Sequence, residues 1–218
     1  MTQLERNKVI LKKYIPEKSV DIIADWIYKY NFKLKIKKPR ASKIGDHMPP
    51  HSGKNHTITV NSDLNKYSFF VTLVHEIAHL ITWDKYKGKV FAHGAEWKTE
   101  YSKLLNHFLI MNSTLTEEEK LFPNDVYSAL KIHVLNPAAA SCSDIQLARV
   151  LDKYDVDKNC LTLERIAIGS SFRIVETKNK FSKDIFIKVE KRRTRFKCVH
   201  AHNKREYLIH ALCKVMLI

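Results

Sequence analysis

Residues 73–97 read LVHEIAHLITWDKYKGKVFAHGAEW. The stretch sets a His-Glu-x-x-His inside an apolar run and a third histidine, His93, beyond a short basic connector. From Ser68 to Trp83 the chain is apolar almost all round. Phe70, Leu73, Val74, Ile77, Leu80 and Ile81 cover about two thirds of a helical circumference, which predicts a deeply buried helix. On that helix His75 and His79, four residues apart, project side by side and offer two imidazoles to adjacent corners of a tetrahedral zinc ion. Glu76 sits about 100° round the helix from His75. That is too far to be the natural third ligand, but close enough to reach a metal-bound water and take its proton. A helix that was merely buried would leave this carboxylate without a basic partner on its own helix, at considerable cost.

The third ligand comes from downstream. The motif is followed by LITW, with no glycine to turn the chain, so the helix runs on. His93, with Gly94 behind it at the start of a second helix, is the preferred ligand; Glu96 and then Glu100 are its rivals. No cysteine precedes Cys142, so a site with an upstream cysteine ligand is set aside.

Working outward, EKSVDIIADWIYKY (17–30) spaces Val20, Ile23, Trp26 or Ile27, and Tyr30 as an amphipathic helix. FKLKIKK alternates strictly and predicts a strand with Phe32, Leu34 and Ile36 on one face and Lys33, Lys35 and Lys37 on the other. PRASKIGDHMPPHSGKN (39–55) reads as a loop, and HTITVN as a short strand. A second helix is expected from about Ala95 to Ile110, then two shorter ones punctuated by Pro123. NPAAASCSD (136–144) is the linker candidate, followed by a helix with Ser143 as its N-cap. Beyond it, SSFRIVET, DIFIKVE, TRFKCVH and YLIHALCKVML predict a small antiparallel meander.

The chain of 218 residues has an ordinary globular composition, 44% hydrophobic and 28% charged, but a net charge of +15. Such an excess favours acidic partners, nucleic acid above all. The N-terminus lacks a secretory apolar core, and no stretch approaches the ~20 apolar residues of a membrane span. The four cysteines include no C-x-x-C pair and are expected as reduced thiols. A cytoplasmic protein without membrane contact is expected, and a monomer.

TLVHEIAHL with HTITVN ahead of it and HGAEW opening the next helix resembles the SprT-like zinc metallopeptidases (Spartan-related) over roughly residues 10–135. The resemblance implies one zinc ion per chain on His75, His79 and His93, Glu76 as the catalytic carboxylate, and protein or peptide substrates, sometimes attached to DNA. It also implies an α+β fold, a zincin-like catalytic domain (1–135) with its active-site helix packed on a small sheet. The remainder (136–218) is expected as a linker helix and a basic antiparallel β module. This part departs from relatives that carry a paired-cysteine zinc ribbon there.

Residues 151–218 hold 16 Lys or Arg against 8 Asp or Glu. If KVEKRRTRFK is extended, Lys191, Arg193, Arg195 and Lys197 share one face beside Arg192, with Phe196 and Tyr207 as stacking groups for nucleic acid. The leading expectation is a zinc-dependent endopeptidase acting on DNA-associated proteins. Its rival is a nucleic-acid-binding or regulatory protein with a structural or idle zinc site. Glu76 weighs for the enzyme, because a structural site has no need of it.

Overall fold

The computed structural model describes residues 2–40, 43–138, 144–155, 160–175, 181 and 183–218. They form a mixed α+β protein in two compact units, Met1–Tyr154 and Asp155–Ile218.

In the first unit, helices α1 (Gln3–Leu11) and α2 (Val20–Lys29) lead into strand β1 (Lys33–Lys37), followed by β2 (Gly45–Met48) and β3 (Thr57–Asn61). The strand order is β1-β3-β2, with β1 parallel and β2 antiparallel to β3. All five residues of β3 are buried. Helix α3 (Lys66–Tyr86) lies on this sheet and packs against α4 (Ala95–Thr114); α5 (Asn124–His133) and α6 (Ile145–Asp152) complete the unit. The core joins Ile58 and Val60 of β3 to Phe70, Leu73, Val74 and Ile77 of α3 and to Trp97, Leu105 and Phe108 of α4.

Three local expectations change. The segment 39–55 is not all loop, because Gly45–Met48 pairs with β3 along its length. An N-terminal helix, α1, stands where none was expected, started by a capping box between Thr2 and Glu5. Helix α6, expected beyond a boundary at 135, packs within the first unit: Leu147 and Leu151 join its core, and the Leu151 carbonyl accepts from Asn65 Nδ2 at 3.0 Å. Its N-cap is Asp144, whose side chain accepts from the Leu147 N–H; Ser143 and Cys142 lie outside the described residues.

The second unit is a six-stranded antiparallel sheet of order β4-β9-β5-β6-β7-β8. Its strands are β4 (Leu161–Thr162), β5 (Ser171–Ile174), β6 (Phe186–Lys191), β7 (Arg195–His200), β8 (Glu206–His210) and β9 (Lys214–Leu217). β5 to β8 form the expected meander, and β9 returns beside β5. Phe172, Phe186, Phe196 and Val215 fill the core. Lys188 is buried there, its Nζ donating to the Ile166 carbonyl at 2.7 Å and lying over the Phe196 ring.

Candidate metal centre

Asn65 starts α3 by accepting from the N–H groups of Tyr67 and Ser68, and Lys87, in the left-handed conformation with Gly88 behind it, ends it. The 21 helical residues between carry His75 and His79 one turn apart. The chain then reverses, and His93 lies just ahead of α4, whose N-cap is Gly94. Packing of α4 on α3 brings the three side chains together. Their Nε2 atoms lie 3.1 Å (His75–His79), 3.0 Å (His79–His93) and 3.2 Å (His75–His93) apart.

A closed triangle of ring nitrogens is a poor hydrogen-bond arrangement, since each can carry at most one proton and all three point inward. It suits a cation well: ligands 2.0–2.1 Å from a tetrahedral zinc ion are about 3.3–3.4 Å from one another. Burial lowers His75 and His79 to about 3, with their neighbouring histidines adding to the effect, and also lowers His93. The rings are therefore neutral at physiological pH, the form that binds metal. The residues present fit the ion.

Trp97 forms the floor. Its indole is fully buried, with ring centroids 4.6, 5.3 and 4.8 Å from His75, His79 and His93, and Tyr101 stacks beneath it at 5.1 Å.

Glu76 turns from this cluster toward β2. The register of β2 directs Asp46 and Met48 at β3 and leaves the backbone groups of Gly45 and His47 facing outward. The His47 N–H donates to the Glu76 carboxylate, so the buried general-base candidate sits at the free edge of β2. Burial raises Glu76 to about 8, Asp46 adds to this, and Lys43, Arg40 and the His47 N–H oppose it. Gly45 is required by close approach: a Cβ there would lie 2.6 Å from Glu76 Oε1 and from Thr72 Cγ2.

His47 also anchors β2 through its ring. Its Nε2 is 2.8 Å from His56 Nδ1, and His56 Nε2 is 3.2 Å from Asp84 Oδ1, which returns the chain of contacts to α3. Sequence reasoning passed over His47 and Gly45. Their signal was a glycine in GDHM, a sign of close backbone approach within a strand. Arg40 Nε donates to Asn61 Oδ1 at 2.9 Å, and Tyr86 is exposed at the last residue of α3.

Among the described residues, the cluster able to hold a metal consists of His75, His79 and His93. Glu96 is outside it, with its carboxylate beside Gly94, and Glu100 pairs with Lys85 at 2.8 Å and Lys103 at 3.2 Å.

The basic residues of the second unit do not form the expected stripe. The chain reverses after Lys191, where the Arg192 N–H donates to the Arg195 carbonyl, so Lys191 and Arg192–Arg193 stand on the opposite side of a hairpin turn from Arg195 and Lys197. Arg192 pairs with Glu190 at 3.2 Å and Lys197 with Glu206 at 2.6 Å. Phe196 is buried, and Tyr207 packs on Phe181 and Phe186, so both aromatics serve the core rather than a stacking surface.

The geometry defines a three-histidine centre, two of its members on α3 and the third just ahead of α4, with a buried carboxylate beside it. Residues 25–117, which contain all four side chains, match the model of the SprT-like family. No curated protein and no solved structure matches the chain.

Proposed function

We propose that the first unit is a zinc-dependent endopeptidase. The observation that carries this reading is the convergence of three neutral imidazoles beside a buried carboxylate at an open strand edge. The association of the SprT-like family with zinc metallopeptidases supports it. A zinc ion on His75, His79 and His93 would supply a Lewis acid and a water whose pKa falls towards ~7.

The chain's own groups do the rest. The outward backbone groups of Gly45, with the His47 carbonyl, pair with an extended substrate and lay its scissile bond along the β2 edge. Glu76 takes a proton from the attacking water and delivers it to the departing amide nitrogen. The Asp84–His56–His47 line and Gly45 hold β2 and Glu76 in register, and Trp97 fixes the rings. For the second unit the proposed role is contact with nucleic acid through the exposed Arg192, Arg193 and Arg195 of the β6–β7 turn, which would bring the peptidase to DNA-associated proteins.

Metal analysis with a protease assay tests the reading. Purified protein should hold about one zinc per chain. His79→Ala and His93→Ala should each lose most of it, and Glu76→Gln should keep it while cleavage falls by at least ~10²-fold. Full zinc occupancy in His93→Ala with loss in Glu96→Ala would reject the ligand set. Undiminished cleavage by Glu76→Gln would reject the mechanism.

A further inference from the structure

The edge of the three-stranded sheet opposite β2 belongs to β1, and a groove of about 1400 Å³ runs along it between α1 and the end of α2. Lys33 donates its N–H to the His56 carbonyl and Lys37 accepts from the Ser62 N–H, so the odd-numbered residues of β1 bond inward to β3. In a parallel pair this turns the N–H and C=O of Leu34 and Ile36 outward. These groups face the groove. Its apolar lining includes Leu4, Ile10 and Tyr28, all large exposed hydrophobics. Its charged lining is Lys29, Lys33, Lys35 and Lys54, with no acidic residue among the lining groups. Lys33, Lys35 and Lys54 take part in no ion pair among the described residues.

We propose that this groove binds an extended acidic segment of a partner protein, added to β1 as a fourth strand. Lysines on an edge strand deter pairing with apolar strands. They make an acidic strand the electrostatic complement, while Leu4, Ile10 and Tyr28 receive its alternate apolar side chains. The backbone decides against nucleic acid as the occupant. The edge presents carbonyl acceptors as well as N–H donors, and a phosphodiester chain, which offers the edge acceptors alone, leaves those carbonyls unpaired. The groove is on the other side of the sheet from the proposed active site, and binding is measured without hydrolysis, so the two readings stand or fall separately.

The probe is a fluorescein-labelled peptide of about nine residues alternating Glu with Val or Leu, enough to span β1, read by anisotropy on the full-length protein. Its mass is checked afterwards so that cleavage is not taken for binding. Saturable binding is expected, with a loss of about tenfold or more when Lys replaces Glu in the peptide, and again for the Lys33→Glu, Lys35→Glu double variant. N-methylation of alternate peptide amides should weaken binding on the same scale, since it removes backbone donors without changing charge. Amide resonances of Leu34 and Ile36 should move on titration. No binding up to ~1 mM, a range in which even millimolar affinities register, overturns the proposal. Binding indifferent to N-methylation or to the lysine variant, or a single-stranded oligonucleotide that binds the groove more tightly than the peptide, overturns it too.

Discussion

Glu76 links the site to the stability of the fold. Loss of hydration holds its carboxyl near 8, against 4.5 for an ordinary glutamate. In metal-free protein at neutral pH the folded chain therefore keeps a proton that the unfolded chain has released. A raised folded-state pKa means that this stability is complete below 4.5 and is lost as pH rises to about 8. From pH 6.5 to 8 the folded state's extra proton declines from nearly one to about one half, so the Glu76 contribution falls by about 1.4 kcal/mol per pH unit at first and by ~2 kcal/mol across the window. His47, His75, His79 and His93 oppose this trend in the lower part of the window. Their lowered values make stability rise with pH where the unfolded chain releases its histidine protons, around 6.5, and Glu76→Gln shares this rise, so its difference from the wild type isolates the glutamate. Glutamine cannot titrate, so in chelator Glu76→Gln should gain ~2 kcal/mol on the wild type between pH 6.5 and 8, about 4–8 °C in Tm for a unit of this size. Thermal unfolding followed by circular dichroism measures the gap. Added zinc should abolish its pH dependence, because a nearby dication favours the ionised carboxylate. Parallel wild-type and Glu76→Gln curves in chelator across this window would refute the argument that burial governs this carboxyl.

Gly45→Ala would drive a methyl group into Glu76 and Thr72; peptide cleavage should fall by ~10-fold or more with zinc content retained, read by steady-state assay alongside metal analysis. Trp97→Ala removes a fully buried ring and the floor of the histidine triangle. It should cost about 3–5 kcal/mol in denaturant unfolding and weaken zinc retention in a chelator competition. Arg192→Ala, Arg193→Ala and Arg195→Ala combined should lower the salt slope of duplex DNA binding by up to about 3 and spare cleavage of an unstructured peptide. Wild-type binding that ignores salt would remove the nucleic-acid proposal.

What could be read from the sequence follows from how local its cause is. The pairing of His75 with His79, and the direction of Glu76, depend only on helical geometry, and the apolar run around them announced a buried α3. His93 could be preferred over Glu96 and Glu100 but not decided, because its place depends on how α4 crosses α3. Strand β2 escaped notice because GDHM has no β-branched residue and lies among Pro, Gly and Ser. Its order comes from pairing with β3 and from the contact of Gly45 with Glu76, neither of which is local. The same holds for α6, whose small-residue approach reads as a linker although Leu147 and Leu151 find a core contributed by distant helices. In the second unit, KVEKRRTRFK contains no Gly, Pro or Asn to mark its turn, and only the pairing of Lys191 with Phe196 shows that the strand doubles back. The metal-binding half of the proposed site is thus written in one helix and the start of the next. The half that would seat a substrate comes from a strand edge and depends on a glycine without a side chain and on main-chain groups. Substitutions there should therefore separate cleavage from metal binding, whereas substitutions in the histidines should remove both.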